Sequence, residues 1–251
     1  MALKGLDIFK LTPKTNCKEC GNPTCMAFAM KVAQGAIGID KCPHMSEEAK
    51  AKLSEATAPP MKSIKIGTGD TEHTLGGETV LFRHDKTFVS KDLFAVNVCA
   101  GCFDEKIKEI EKVDYDRISE RMYVEILNLK YEGDKDAYVE LVKKADGHGR
   151  VLILDCEDTA AAEAALAVCA ASKPILNGAN AGNYAEMVEL AKKNDVVLGV
   201  KGANLDELYD TTAAIEAAGY KNLVLDVTGE NVKDTFANAV QVRRAALKDK
   251  D

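Results

Sequence analysis

No apolar run in this sequence is long enough to cross a membrane. The longest, such as Val196-Val197-Leu198-Gly199-Val200, fall far short of the roughly 20 residues a spanning helix needs. A secretory core is missing too, because Lys4, Asp7 and Lys10 interrupt the apolar residues of the N-terminus. The chain is therefore read as cytoplasmic. An excess of positive charge is also lacking: the net charge of −7 argues against nucleic acid, which asks for a basic surface. No strand-like segment leads into a Gly-x-Gly-x-x-Gly turn, which removes the usual dinucleotide fingerprint. His73, His84 and His148 are scattered without ligand spacing and receive no role.

What is present is a chain of 251 residues, 46% hydrophobic and 29% charged, with room for one large domain and a small one. Without a signal peptide, its eight cysteines read as metal ligands or buried thiols before disulfides. Four fall between positions 17 and 42, two form Cys99-x-x-Cys102, and Cys156 and Cys169 stand alone as small core residues. The charge is uneven. Residues 1–53 hold eight lysines and five acids, a balance of +3 that leaves −10 for the remainder.

The composition breaks at residues 54–78, which hold Pro59, Pro60, Gly67, Gly69, Gly76 and Gly77. Pro-Pro disfavours helix on both sides and glycines mark turns. Residues 1–57 thus read as a separate module. Residues 58–78 read as a linker and a hairpin that opens the next domain, with the alternating Ser63–Ile66 as one strand. From 79 to 251 strand and helix patterns alternate. The strands are Thr79–Phe82, Met122–Leu129, Val151–Asp155, Pro174–Asn177, Val196–Lys201 and Leu223–Val227; the helices are 104–112, 135–145, 159–171, 183–193, 205–218 and 231–247. Short, nearly all-apolar strands suit a parallel sheet covered on both faces, so the class is α/β.

Two architectures compete, a doubly wound open sheet and a (β/α)8 barrel of the TIM type. The barrel is preferred because Asn177-Gly-Ala-Asn180, Lys201-Gly-Ala-Asn204 and Asp226-Val-Thr-Gly229 are short polar loops at strand ends, where barrels place their sites. About six βα units are visible, so the barrel reads as incomplete.

The chemistry lies in Cys17-x2-Cys20-x4-Cys25-x16-Cys42. Thiolates are the ligands iron–sulfur clusters require, and four complete a cubane. Close spacing lets one turn wrap three corners, with Gly21 and Pro23 allowing the tight backbone. Residues 25–34 read as a helix ended by Gly35, and Cys42-Pro43 returns the fourth ligand. Ser46, ahead of Glu47 and Glu48, would cap another helix. Zinc is the alternative, with His44 joining or replacing Cys42, although structural zinc sites usually show two close ligand pairs. Lys14, Lys18 and Lys41 flank the segment, either favouring a reduced anionic cluster, docking an acidic electron donor, or standing as solvated lysines. Cys99 and Cys102 precede a helical run, as reactive pairs do, yet Val96, Val98 and Ala100 around them suggest a buried strand end.

The segment Leu-Thr-Pro-Lys-Thr-Asn-Cys-Lys-Glu-Cys-Gly-x-Pro-Thr-Cys-Met-Ala-Phe-Ala (11–29) closely resembles the large, or gamma, subunit family of corrinoid iron–sulfur proteins. Cys42-Pro43 and Gly-Gly-Glu-Thr-Val-Leu-Phe-Arg-His (76–84) match the same family. The resemblance implies an N-terminal [4Fe–4S] domain with Cys17, Cys20, Cys25 and Cys42 as ligands, a (β/α)8 barrel, and a C-terminal corrinoid-binding domain. It implies a methyl carrier of the anaerobic acetyl-CoA pathway. Such a carrier takes methyl from methyltetrahydrofolate onto cobalt and passes it to acetyl-CoA synthase, while the cluster reactivates Co(II) to Co(I). The implied partners are a small subunit in a heterodimer, a methyltetrahydrofolate methyltransferase, acetyl-CoA synthase and a low-potential donor such as ferredoxin. The sequence departs from that plan by stopping after the sixth βα unit. It also carries no Asp-x-His-x-x-Gly corrinoid motif, since Asp146-Gly-His148 lacks the final glycine. Two rival readings are a free-standing pterin-binding barrel methyltransferase and a zinc-stabilised interaction module.

Overall fold

The computed structural model describes residues 5–33, 37–46, 48–50 and 61–249. Pro59 and Pro60 of the linker, and Gly35 at the expected end of the second helix, lie outside them. The chain divides into two compact units, Met1–Lys62 and Ser63–Asp251.

In the first unit, helix α1 (Gly5–Leu11) packs on helix α2 (Cys25–Ala33). Phe28, Ala29 and Val32 fall on one side of α2 at helical spacing and bury against Ile8. Ile39, Cys42, Met45 and Ala49 complete this small core after a 3-10 turn at Ile39–Lys41. Ser46 caps the helical turn that follows, its hydroxyl accepting from the Ala49 N–H at 3.2 Å.

The second unit opens with an antiparallel hairpin, β1 (Ile64–Ile66) and β2 (His73–Leu75). A six-stranded sheet follows in the spatial order β10-β9-β8-β7-β6-β3, every neighbouring pair parallel. Its strands are β3 (Ala95–Val98), β6 (Ile126–Lys130), β7 (Val151–Asp155), β8 (Ile175–Ala179), β9 (Val197–Lys201) and β10 (Leu223–Asp226). The intervening helices are α3 (Phe103–Lys112), α4 (Lys135–Asp146), α5 (Thr159–Cys169), α6 (Tyr184–Asn194) and α7 (Leu205–Ala217), with α8 (Val232–Arg244) after β10. The order never reverses, whereas a doubly wound sheet changes direction at a switch point.

Side chains alternate between the sheet's faces. Leu127, Leu129, Leu152, Leu154, Leu176, Leu198 and Val200 pack with apolar residues of the helices, including Leu141, Leu166, Met187 and Ile215. On the other face, Ile126, Val151, Ile175 and Val197, the first residues of four strands, pack with Ile64 and Ile66 of the hairpin. Helix starts are fixed by side-chain caps. Asp134, Asp158, Asn204 and Asn231 each accept from an N–H of the first turn of α4, α5, α7 and α8.

Two expected strands are corrected. Thr79–Phe82 is irregular; the Val80 and Leu81 carbonyls accept from the Arg243 guanidinium instead of a neighbouring strand. Met122–Leu129 is split, its beginning ending β5 (Glu120–Tyr123) and its remainder lying in β6. β5 pairs with β4 (Asp114–Arg117) in a separate hairpin.

Beyond its apolar start the inner face turns polar. Asn177 on β8 donates to Asp226 on β10 at 3.1 Å, reaching past the intervening strand β9 because Gly199 there has no side chain. A Cβ on Gly199 would meet Asn177 Oδ1 at 2.3 Å and Asn177 Cα at 2.9 Å. Gly199→Ala is expected to lower stability by about 1–3 kcal/mol, the usual range for overpacking, read from the urea midpoint. In an Asn177→Ala background the penalty should shrink but persist, because the clash with the backbone of residue 177 remains; equal penalties would refute the crossing bond as the cause.

Candidate metal centre

The loop between α1 and α2 is built from backbone that L-residues avoid. Lys14, Asn16 and Lys18 have φ of 57°, 49° and 66°, and Gly21 follows at 73°. Left-handed conformations cost a non-glycine residue roughly 1–2 kcal/mol, so surrounding bonds must hold them. Left-handed residues alternating with others turn successive N–H groups to one side, making the kind of concavity that binds anions and Fe–S centres.

Asn16 supplies much of the hold. Its side-chain oxygen accepts from the Cys25 N–H at 2.8 Å, capping α2 from nine residues away. Its own N–H donates to Cys25 Sγ at 3.4 Å. Asn22 is buried, and its amide nitrogen donates to the Cys20 carbonyl at 3.1 Å and to Cys20 Sγ at 3.7 Å. Gly21 N–H closes the turn on Lys18 O at 2.9 Å.

Cys25 and Cys42 are buried, Cys20 is half-buried and Cys17 is exposed. Cys20 and Cys42 join the same apolar core as Phe28. His44 follows two residues after the buried Cys42. Its ring lies with Cys17 Sγ and a Glu19 oxygen in a group whose atoms are all within 4.8 Å of one another. His44 Nε2 is paired with Glu19 at 2.8 Å. The exposed Cys17 thus shares the surface with the His44–Glu19 pair, while Cys25 and Cys42 are buried.

The remaining cysteines lie in the second unit. Cys99 and Cys102 have their sulfurs paired across the 3-10 turn between β3 and α3, with Cα atoms 5.3 Å apart. Cys156 and Cys169 are core residues. Burial pushes the Cys156 thiol up to about 11 and the Cys169 thiol up to about 12, which keeps them protonated and poor ligands.

A polar row occupies the C-terminal ends of the strands; sequence reading marks Asn177, Lys201 and Asp226 there, but not Asp155 and Glu157 as their neighbours. Lys201 pairs with Asp155 at 2.5 Å and with Glu157 at 3.7 Å. Burial opposes charge on Lys201, but the hydrogen bond and field of Asp155 outweigh it and hold the ammonium above its ordinary pKa. Burial likewise disfavours the Asp226 carboxylate, yet hydrogen bonds from Thr228 and Asn177 keep its pKa below the usual value. Alternation of apolar and polar residues toward each strand end is the available signal. A cavity of about 370 Å³ lies between the loops after β9 and β10, lined by Gly202, Asn204, Leu208, Asp226, Thr228 and Asn238 among others. The loop asparagines are engaged internally: Asn177 with Asp226, Asn180 with Gly182 N–H and Glu157, and Asn204 with Glu207 N–H.

No described helix is long and apolar enough to cross a membrane. The family model for the CO dehydrogenase/acetyl-CoA synthase delta subunit matches residues 63–251, and a model for an Fe–S cluster segment matches residues 13–44. The chain is 37% identical, over 99% of its length, to the corrinoid/iron–sulfur protein large subunit of Moorella thermoacetica. It is 33% identical over 98% of its length to the acetyl-CoA decarbonylase/synthase complex subunit gamma of Archaeoglobus fulgidus. With the gamma subunit of Methanothermobacter thermautotrophicus it shares 29% over its full length. The chain spans 57%, 56% and 57% of those relatives. It therefore belongs to the CO dehydrogenase/acetyl-CoA synthase delta-subunit family and corresponds to the N-terminal portion of that family's corrinoid/iron–sulfur large, or gamma, subunits.

Proposed function

We propose that residues 1–57 form a [4Fe–4S] domain, with Cys17, Cys20, Cys25 and Cys42 as the cluster ligands. The observation that carries this is the Asn16–Cys25 exchange. A backbone N–H is aimed at a cysteine sulfur, from a loop that holds Lys14, Asn16 and Lys18 at positive φ. Four thiolates give a cubane its ligand set but leave excess negative charge, and sulfur-directed N–H groups offset it. The apolar core around Cys20 and Cys42 limits solvent on the inner side, while the exposed Cys17 leaves one edge for electron entry.

The whole protein, on this reading, is a methyl carrier of the acetyl-CoA pathway. A corrinoid cobalt would take methyl from methyltetrahydrofolate and give it to acetyl-CoA synthase, and the cluster's low-potential electron would restore cobalt lost to oxidation. This chain's part is electron supply. No residue here is assigned to the corrinoid. His148, in the partial motif, is stacked edge-on against Phe103 at 5.5 Å and lies 3.8 Å from Glu111. The proposed partners are the small subunit, the methyltransferase, acetyl-CoA synthase and a donor such as ferredoxin.

The sheet is proposed to belong to a (β/α)8 barrel. Support comes from its unreversed strand order, the hairpin plugging its N-terminal end, and the polar row at the opposite end, where barrels place their sites. Val232, Phe236 and Val240 repeat every fourth residue on α8 and are exposed, an apolar stripe of the sort that a further βα unit would cover. The zinc reading draws on the Cys17, Glu19 and His44 group, whose S, O and N donors zinc accepts.

Changing Cys17, Cys20, Cys25 or Cys42 singly to Ala is expected to remove most of the iron. Replacing Cys99, Cys102, Cys156 and Cys169 together should leave iron and acid-labile sulfide near the four of each in one cubane. A zinc-loaded wild type without sulfide would overturn the cluster reading. In the full-length complex, Cys25→Ala should still support methyl transfer after chemical pre-reduction. It should fail to recover from oxidation when given only ferredoxin, whereas wild type recovers. A pre-reduced, folded variant that is inactive from the first turnover would contradict the division between electron supply and methyl transfer.

A further inference from the structure

The cysteine segment holds a buried amide that the ligand set does not account for. Asn22 is only 3% exposed, a rare state for asparagine; its amide nitrogen is bonded, while its Oδ1 has no hydrogen-bond partner. Its orientation is fixed, because the Cys20 carbonyl at 3.1 Å can only accept, so the nitrogen must face it. The amide's second hydrogen is then available to Cys20 Sγ at 3.7 Å. Among the described residues, the hydrogen bonds to sulfur in this segment fall on Cys20 and Cys25, from Asn22 and Asn16.

Resting on the cluster reading above, we infer that Asn22 is a positioning residue that sets the reduction potential of the cluster through its amide bond to the Cys20 sulfur. Reduction adds one electron and one negative charge to an already anionic group, part of which resides on the ligand sulfurs. A donor fixed against sulfur in a buried setting stabilises the more negative state and raises the potential. Burial itself pulls the other way by penalising added charge, so removing the donor leaves that penalty uncompensated. Asn16 acts alike at Cys25, but through its backbone N–H, which no side-chain substitution removes. Asn22 is therefore the adjustable one of the two.

The test uses the full-length protein with its cluster. Asn22→Leu fills a similar volume without a donor. It should hold iron and sulfide as wild type does. Its one-electron equilibrium with a viologen mediator should shift about tenfold toward the oxidised cluster, the size of one lost hydrogen bond and equivalent to 59 mV. An iron-replete variant whose equilibrium stays within about twofold of wild type would overturn the inference. If the variant loses its iron, wild type decides. The protein is labelled with asparagine carrying ¹⁵N only in the side-chain amide, reduced, and measured by pulsed EPR. One amide nitrogen coupled to the cluster is expected; none would overturn the inference. A wild type without iron would count against the cluster reading itself.

Discussion

Asn16 and Cys25 exchange two hydrogen bonds across nine residues of chain, and the geometry of the first unit hangs on that exchange. Together with the Thr24 hydroxyl, which accepts from the Ala27 N–H, it starts α2 at Cys25, and so directs Phe28, Ala29 and Val32 onto Ile8. It also holds Asn16 at a positive φ, with Lys14 and Lys18 on either side bearing the same strain. Asparagine suits the position twice over, since it tolerates the left-handed region better than most residues and carries an oxygen for the Cys25 N–H beside the Thr24 cap on Ala27. Backbone strain, helix start and sulfur environment are thus one arrangement.

The second unit solves a different problem, how to let one sheet face pass from apolar to polar within a few residues. Ile175 and Asn177 lie two apart on β8 and share a face, yet one joins the buried apolar cluster and the other the hydrogen-bonded row. The transition holds because the polar groups pair with one another. Lys201 is matched by Asp155 and Glu157, and Asp226 by Asn177 and Thr228. Removing one partner would leave a half-buried charge or amide unsatisfied, which costs more than the bond itself contributes.

The cysteine spacing, the α/β alternation and most of the parallel strands are legible in the sequence, because thiol chemistry and all-apolar strands leave strong local marks. The misread segments are those where a distant group decides. Val80 and Leu81 look like strand residues, but Arg243 takes their carbonyls and the buried Glu78 organises the neighbouring backbone through Val89 and Ser90. Met122–Leu129 reads as one run, yet it is divided at Val124 and Glu125, where the Glu125 carboxylate accepts from Phe94 N–H. The β4–β5 hairpin is exposed and charged, so it shows no apolar alternation. Ile118 and Ser119 make its turn at φ of 51° and 63° without the glycine or asparagine that would announce it. Asn22 escapes a sequence reading because nothing local distinguishes a buried asparagine from a turn residue.

The change from apolar to paired polar groups along each inner strand also divides the sheet dynamically. At the hairpin end the strand starts share one apolar cluster, and opening the sheet there means wetting Ile126, Val151, Ile175 and Val197 together. At the other end the contacts are ion pairs and amides that water can replace one at a time. Local opening should therefore fray from the loops inward, leaving the plugged end as the hinge about which strand ends breathe. Amide protons near Val151 and Ile175 would then exchange by global unfolding, and those beyond Asp155 and Asn177 by small excursions. The face that carries the loops is the one free to adapt, without the fold coming apart beneath it.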